Sequence, residues 1–155
     1  MPYFDYNLID KLKSLGIAEY NSKSTSDRED KQLRSIEGQH DDIHTDIVIP
    51  LKINSEKVFL LQERQSAFKE GRPDFNLLMQ KIDDGEIQVV IAWHANRMAR
   101  NYADGGRFVQ LMADGKLHYL ITTQGIFENT ARDREYLMNE FTKATRSSDD
   151  LSEAV

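Results

Sequence analysis

The 155 residues include no cysteine, which removes disulfide frameworks and thiolate metal sites and suits a reducing compartment. They also lack any apolar run near the ~18 residues that span a bilayer. The opening stretch MPYFDYNLIDKLK has neither the charged start nor the long apolar middle of a secretory signal. Basic charge is in short supply too: 20 Lys and Arg stand against 26 Asp and Glu, a net charge of −6. Such a chain does not grip nucleic acid with its whole surface, so any DNA contact must be local or helped by a partner. These deficits predict a soluble cytoplasmic domain, long enough to bury roughly two-thirds of its unfolded surface.

The most informative stretch is Ile87–Arg100, IQVVIAWHANRMAR. Its first seven residues are almost uninterruptedly apolar and rich in β-branched side chains, as a strand covered on both faces should be. Asn96 then reads as a helix N-cap, and Arg97 and Arg100, three apart, share one face of the first turn. Two cations there oppose the helix dipole, a conflict that a bound phosphate would resolve. Taken alone, the pair is equally well explained as solvated arginines matched by surface carboxylates.

Elsewhere the periodicity predicts a helix over 5–15, capped by Asp5 and ended by Gly16, then a short strand at Ile17–Tyr20. A polar loop over 22–30 leads into a helix from Glu29 through Leu33, Ile36, Ile43 and Ile47, stopped or kinked by Pro50. Val58–Leu61 is the next strand, Gln62–Arg72 a charged loop, and Pro73 opens a helix burying Phe75, Leu78, Met79 and Ile82. A helix ending at Gly115 carries the Gly105-Gly106 pair, which weakens it but allows close packing. Strands at Leu117–Thr122 and Gly125–Phe127 precede a long final helix from Ala131, broken around Ser147-Ser148, with Phe141 and Leu151 set aside as dimer surface. Strands alternating with helices predict an α/β domain with a mostly parallel sheet of four to five strands and helices on both faces. Ligands then belong at the carboxyl ends of the strands, where the loops around Ser24, Glu63–Arg72 and Asn96–Arg100 open.

Phosphoryl transfer needs a nucleophile and charge stabilisation, and Ser24 with Arg72, Arg97 and Arg100 offers both. A lone loop serine is usually only a turn residue, but four segments in order are more specific. Tyr20–Thr25 (YNSKST) with Ser35–Gln39 (SIEGQ), Glu63–Phe75 (ERQSAFKEGRPDF), Trp93–Asn101 (WHANRMARN) and Asp149–Ser152 (DDLS) resemble, in register, the motifs of the serine recombinases. These are the resolvases, invertases and large serine integrases.

The resemblance implies a resolvase-like three-layer sandwich over residues 16–155, with 1–15 as an N-terminal extension helix and the long C-terminal helix as a dimer surface. It implies a site-specific recombinase that needs no metal or nucleotide cofactor and works on double-stranded DNA through a 5′-phosphoserine intermediate. The assembly implied is a homodimer, pairing into a tetramer in the synaptic complex of a mobile genetic element. Carried over by position, Ser24 is the nucleophile, Arg72, Arg97 and Arg100 bind the phosphate, Gln39 supports them, and Ser66 lies in the adjoining DNA-binding loop. Family members continue into a basic DNA-binding region, which these residues do not contain, so this chain alone is expected to bind DNA weakly.

Two positions depart from the family pattern. Ser22 stands where the family has an active-site arginine, and Asn96 where it has an aspartate. Loss of one preorganised charge donor typically costs ~10²–10³ in rate, so impaired catalysis is expected. The rival is a degenerate, non-catalytic homologue acting as a structural or regulatory partner; a generic phosphate-binding module is a weaker third. His40 and His44 are four apart on a helix, a metal-ligand spacing, but surface histidines in an acidic helix explain them more simply, and no metal is expected.

Overall fold

The computed structural model describes residues 6–23, 35–64 and 71–154, with side chains through Lys143. Five strands form one sheet: β1 (Ile17–Ser22), β2 (Val58–Glu63), β3 (Val89–Ile91), β4 (Tyr119–Thr122) and β5 (Gly125–Glu128), in the order β2-β1-β3-β4-β5. The first four are mutually parallel, with Ile17 beside both Val58 and Val89, and Val89 beside Tyr119. Only β5 is antiparallel, paired back on β4. The mixed, mostly parallel α/β sheet expected from the sequence is therefore present.

Alternation along the strands splits the core in two. Ala18, Tyr20, Leu61, Val90 and Leu120 face a layer made by α3 (Pro73–Asp83), α4 (Tyr102–Ala113) and the first half of α5 (Ala131–Ala154). Ile17, Val89, Ile91 and Ile121 face the other way, onto Leu12 of α1 (Tyr6–Leu12), Ile43 of α2 (Ile36–Ile43), and Ile47 and Leu51 beyond it. Among the described residues, no helix is long and apolar enough to cross a membrane.

Several boundaries differ from expectation for identifiable reasons. The helix expected from Glu29 begins at Ile36, because the Ser35 hydroxyl caps it by accepting the Gly38 amide at 3.0 Å; residues 24–34 lie outside the described residues, as does Asp5. Its last turn widens into a π-turn at His44–Val48 just ahead of Pro50, with the Ile49 amide reaching back to His44. The central strand is ladder-paired only at Val89–Ile91, although Ile87 and Ala92 on either side are buried. The final helix runs unbroken through Ser147-Ser148 to Ala154.

Phe141 is not dimer surface. It is fully buried, its ring edge-on to Phe108 at 5.7 Å. Gly105 is what admits it, since a Cβ there would stand 2.9 Å from the Phe141 Cβ. The side chain of Leu151 lies outside the described residues.

Candidate active site

The carboxyl ends of β1, β2, β3 and β4 share one edge of the sheet, and the segment 93–101 crosses it. Asn96 does not cap an α-helix there. Ala95–Arg97 form a single 3-10 turn, and α4 starts five residues later with Asn101 as its cap, whose Oδ1 accepts the Asp104 amide at 2.8 Å. Arg97 and Arg100 therefore sit in the loop ahead of the helix and not on its first turn. The cap signal was real but belonged to the second asparagine of the segment.

This loop is clamped by its own carbonyls. The Trp93 carbonyl accepts both the amide and the hydroxyl of Thr123, at 3.1 and 2.9 Å. The Arg97 carbonyl accepts the Ser22 hydroxyl at 2.6 Å. The Met98 carbonyl accepts an Nη2–H of Arg72 at 2.6 Å. Three neighbouring elements thus hold a nine-residue loop that makes only one short turn of its own.

Arg72 is wholly buried and lies at the centre of a polar network. Its Nη1 donates to the Tyr20 hydroxyl at 2.9 Å, while Nε and Nη2 reach Asp104 Oδ2 at 3.4 and 3.3 Å. The guanidinium also lies over the Phe75 ring, 4.4 Å from its centroid. Tyr20 donates in turn to Glu63 Oε1 at 3.2 Å, and the same oxygen accepts the Phe75 amide at 2.9 Å. Burial drives the Tyr20 phenol far above its ordinary range, with the Arg72 charge pulling against that and Glu63 adding to it, so the hydroxyl stays protonated. Arg72 faces inward: it braces the loop from beneath and presents no open fork to solvent.

Gln39 and Ser22 also meet. The buried Gln39 amide donates to the Ser22 carbonyl at 3.0 Å, so α2 is pinned to the end of β1 where Ser22 is pinned to Arg97. The Arg97 side chain is 2% exposed and its guanidinium carbon lies 5.3 Å from the Trp93 ring centroid, whereas Arg100 is half-buried. Asn96 Oδ1 is buried and accepts no hydrogen bond among the described residues, which marks the position where the family pattern has a carboxylate. Of the residues singled out in sequence, Ser22, Gln39, Arg72, Asn96, Arg97 and Arg100 are thus gathered at one edge. Ser24 and Ser66 lie outside the described residues.

Sequence reasoning missed the acidic half of this site. Asp104 is buried and pairs with Arg72, and Asn101 Nδ2 helps hold it at 3.2 Å. The Asn101-x-x-Asp104 spacing was the available signal, being that of a helix cap. His94 was also passed over; it stacks on Trp93 at 3.7 Å between centroids, and the Trp93 indole donates to Asp42 at 3.0 Å. Burial, and secondarily the Arg97 charge, hold the His94 imidazole below its usual pKa against a smaller opposing pull from Asp42. His40 meets Glu19 Oε2 at 2.5 Å, and among the described residues no cluster of three or more potential metal ligands occurs.

Similar architecture recurs in solved proteins. The N-terminal catalytic domain of TP901-1 integrase matches with a TM-score of 0.58 at 17% identity, covering 88% of this chain and 98% of that one. The C-terminal catalytic domain of ISC1926 TnpA, an IS607-like serine recombinase, matches at 0.51 with 16% identity and 68% of each chain covered. The first open reading frame of transposon ISC1904 from Sulfolobus solfataricus P2 matches at 0.50 and 14% identity, over 69% of this chain and 66% of that one. At such identities the likeness is one of fold, and no curated protein matches in sequence. The family model described as "Resolvase, N terminal domain" matches residues 17–147, which spans the whole sheet and the clamped loop. The chain belongs to that family, and its domain is of the serine recombinase catalytic type.

Proposed function

We propose that this domain cleaves and rejoins double-stranded DNA at specific sites, with Ser24 as nucleophile. The Ser24 oxygen attacks the scissile phosphorus, the bond to the 3′-oxygen breaks, and the serine proton and the proton taken up by the 3′-oxygen balance. The products are a 5′-phosphoserine link and a free 3′-hydroxyl, and religation reverses the step. Arg97 and Arg100 bind the phosphate. Arg72 and Gln39 act as positioning residues, Arg72 through the Met98 carbonyl and Gln39 through Ser22. Ser66 contributes from the loop after β2. The active assembly is a homodimer that pairs into a tetramer on DNA, and no metal or nucleotide is required.

The observation that carries this reading is the hydrogen bond from Ser22 to the Arg97 carbonyl. It fastens the end of β1 to the arginine loop, and Ser24 follows only two residues later, a span of at most roughly 7 Å. A family member needs that juxtaposition of hydroxyl and cations.

The same bond favours a second reading, in which the domain is a non-catalytic homologue that serves as a partner. The Ser22 hydroxyl is buried and already engaged, so it replaces the family's arginine with a group that cannot contact phosphate. Incubation with a pool of random-sequence duplex DNA, followed by denaturation and mass spectrometry, separates the two. The catalytic reading expects a covalent adduct on the Ser24 peptide, absent from Ser24→Ala and raised about 10²–10³-fold in Ser22→Arg/Asn96→Asp. No adduct from either the parent or the folded double variant would overturn it.

A further inference from the structure

The edge of the sheet opposite the candidate active site carries a cavity of about 320 Å³, at the lower end of the range for small-molecule sites. It lies where β1 and β2 begin, between α1 and the turn after Val48. Its floor is apolar, built from Leu12, Ile17 and Leu51, all buried. Its polar lining is Lys13, Lys52, Lys57 and Asn54, with no carboxylate, in a chain whose carboxylates outnumber its cations 26 to 20. Lys13 is held by Asp10 at 3.4 Å, but among the described residues neither Lys52 nor Lys57 enters an ion pair.

Lys52 is also the one described non-glycine residue with a left-handed backbone, at φ 55°. It occupies the turn that ends the helical segment: the Ile53 amide reaches Val48 at 3.0 Å and the Lys52 amide reaches Ile49 at 3.1 Å. Glycine is the residue that normally fills this position, because a Cβ there is strained. A cation near a helix C-terminus is favourable, but it need not sit on the strained residue to be so. Here the strain sets a lysine on the rim of an apolar cavity.

We propose that this cavity binds a small amphipathic anion, with a carboxylate or phosphate head between Lys52 and Lys57 and a hydrocarbon body on the Leu12–Ile17–Leu51 floor. The site stands apart from the DNA-cleavage reading and neither needs it nor supports it. Decanoate and decyl phosphate are suitable probes in calorimetric titration, with decylamine as the cationic control. Both anions should bind saturably and stoichiometrically, and decylamine should not. Lys52→Gly should leave the melting temperature unchanged or raise it, since glycine suits the backbone, yet weaken decanoate roughly tenfold through loss of one charge-assisted contact. Lys57→Gln should weaken it similarly. Equal affinity in the parent and both variants, equal binding of decylamine, or no saturable binding of monomeric decanoate would overturn the proposal. So would co-sedimentation with phosphatidylglycerol vesicles unaccompanied by binding of the monomer, which would mark a membrane-surface patch.

Discussion

Replacing Arg72 by methionine should unfold the domain far more readily than any loss of a surface cation. The substitution keeps much of the aliphatic bulk but strands the Asp104 carboxylate, whose side chain is only 4% exposed, and leaves the Met98 carbonyl without its 2.6 Å donor. Removing one member of such a buried pair costs about 3–5 kcal/mol, because the remaining charge stays desolvated. Against a total stability of about 5–15 kcal/mol that is a large share, and it corresponds to a fall of roughly 10 °C in Tm for a domain of this length. Urea unfolding followed through Trp93, the sole tryptophan and the first residue of the clamped loop, reads the loss directly. Removing both charges in Arg72→Met/Asp104→Leu should cost less than the sum of the two single changes by about 2 kcal/mol, since neither charge is then stranded. A single variant within about 1 kcal/mol of the parent, or strict additivity in the cycle, would refute the view that Arg72 is a buried brace.

Gly105→Ala should destabilise by about 1–3 kcal/mol of overpacking against Phe141, only partly offset by better helix propensity, whereas Gly106→Ala, with nothing within 4 Å of the new Cβ, should stabilise by up to about 1 kcal/mol. Thermal melts of the two variants should therefore shift in opposite directions. His94 yields a pH signature: the folded state holds the imidazole neutral, so the unfolded chain takes up the proton first as pH falls below about 6.5, and stability present above that value is lost. His94→Gln should flatten this part of the acid slope, and urea midpoints at a mildly alkaline and a mildly acidic pH, compared with the parent, would show it. Gly16→Ala should abolish soluble expression, because its Cβ would lie 2.0 Å from the backbone oxygen of Glu86, which cannot rotate away.

The sheet was legible because β3 and β4 lie in near-continuous apolar runs, and because Gly16, Gly85, Gly115 and Pro73 punctuate the elements around them, whereas β1, with Glu19, Asn21 and Ser22 in it, gave only a weak signal. The arginine loop was legible as a location but not as a conformation. Asn96 and Asn101 offer the same capping chemistry five residues apart, and only the packing of α4 decides between them. Arg72 looked like a phosphate ligand because nothing local reveals a carboxylate partner 32 residues away. Phe141 looked like an interface residue because the helix around it is so polar; the groove that receives it is made by Gly105, an absence of side chain that periodicity cannot register. The family motifs pointed to this edge of the sheet, and the buried acid that braces it, Asp104, had to be read from the fold.

Arg72 also bears on how the domain comes apart. Its hydrogen bonds join β1, α4 and the loop between β3 and α4, and Tyr20 extends the same chain to β2 through Glu63. None of these segments can detach without leaving a buried polar group of this network unpaired, and loss of α4 strands the Arg72 charge itself, so partial opening is penalised along with complete opening. Amide hydrogen exchange should accordingly find β1 and α4 releasing their protons with a common free energy of opening, although 80 residues separate Ser22 from Tyr102 in the chain.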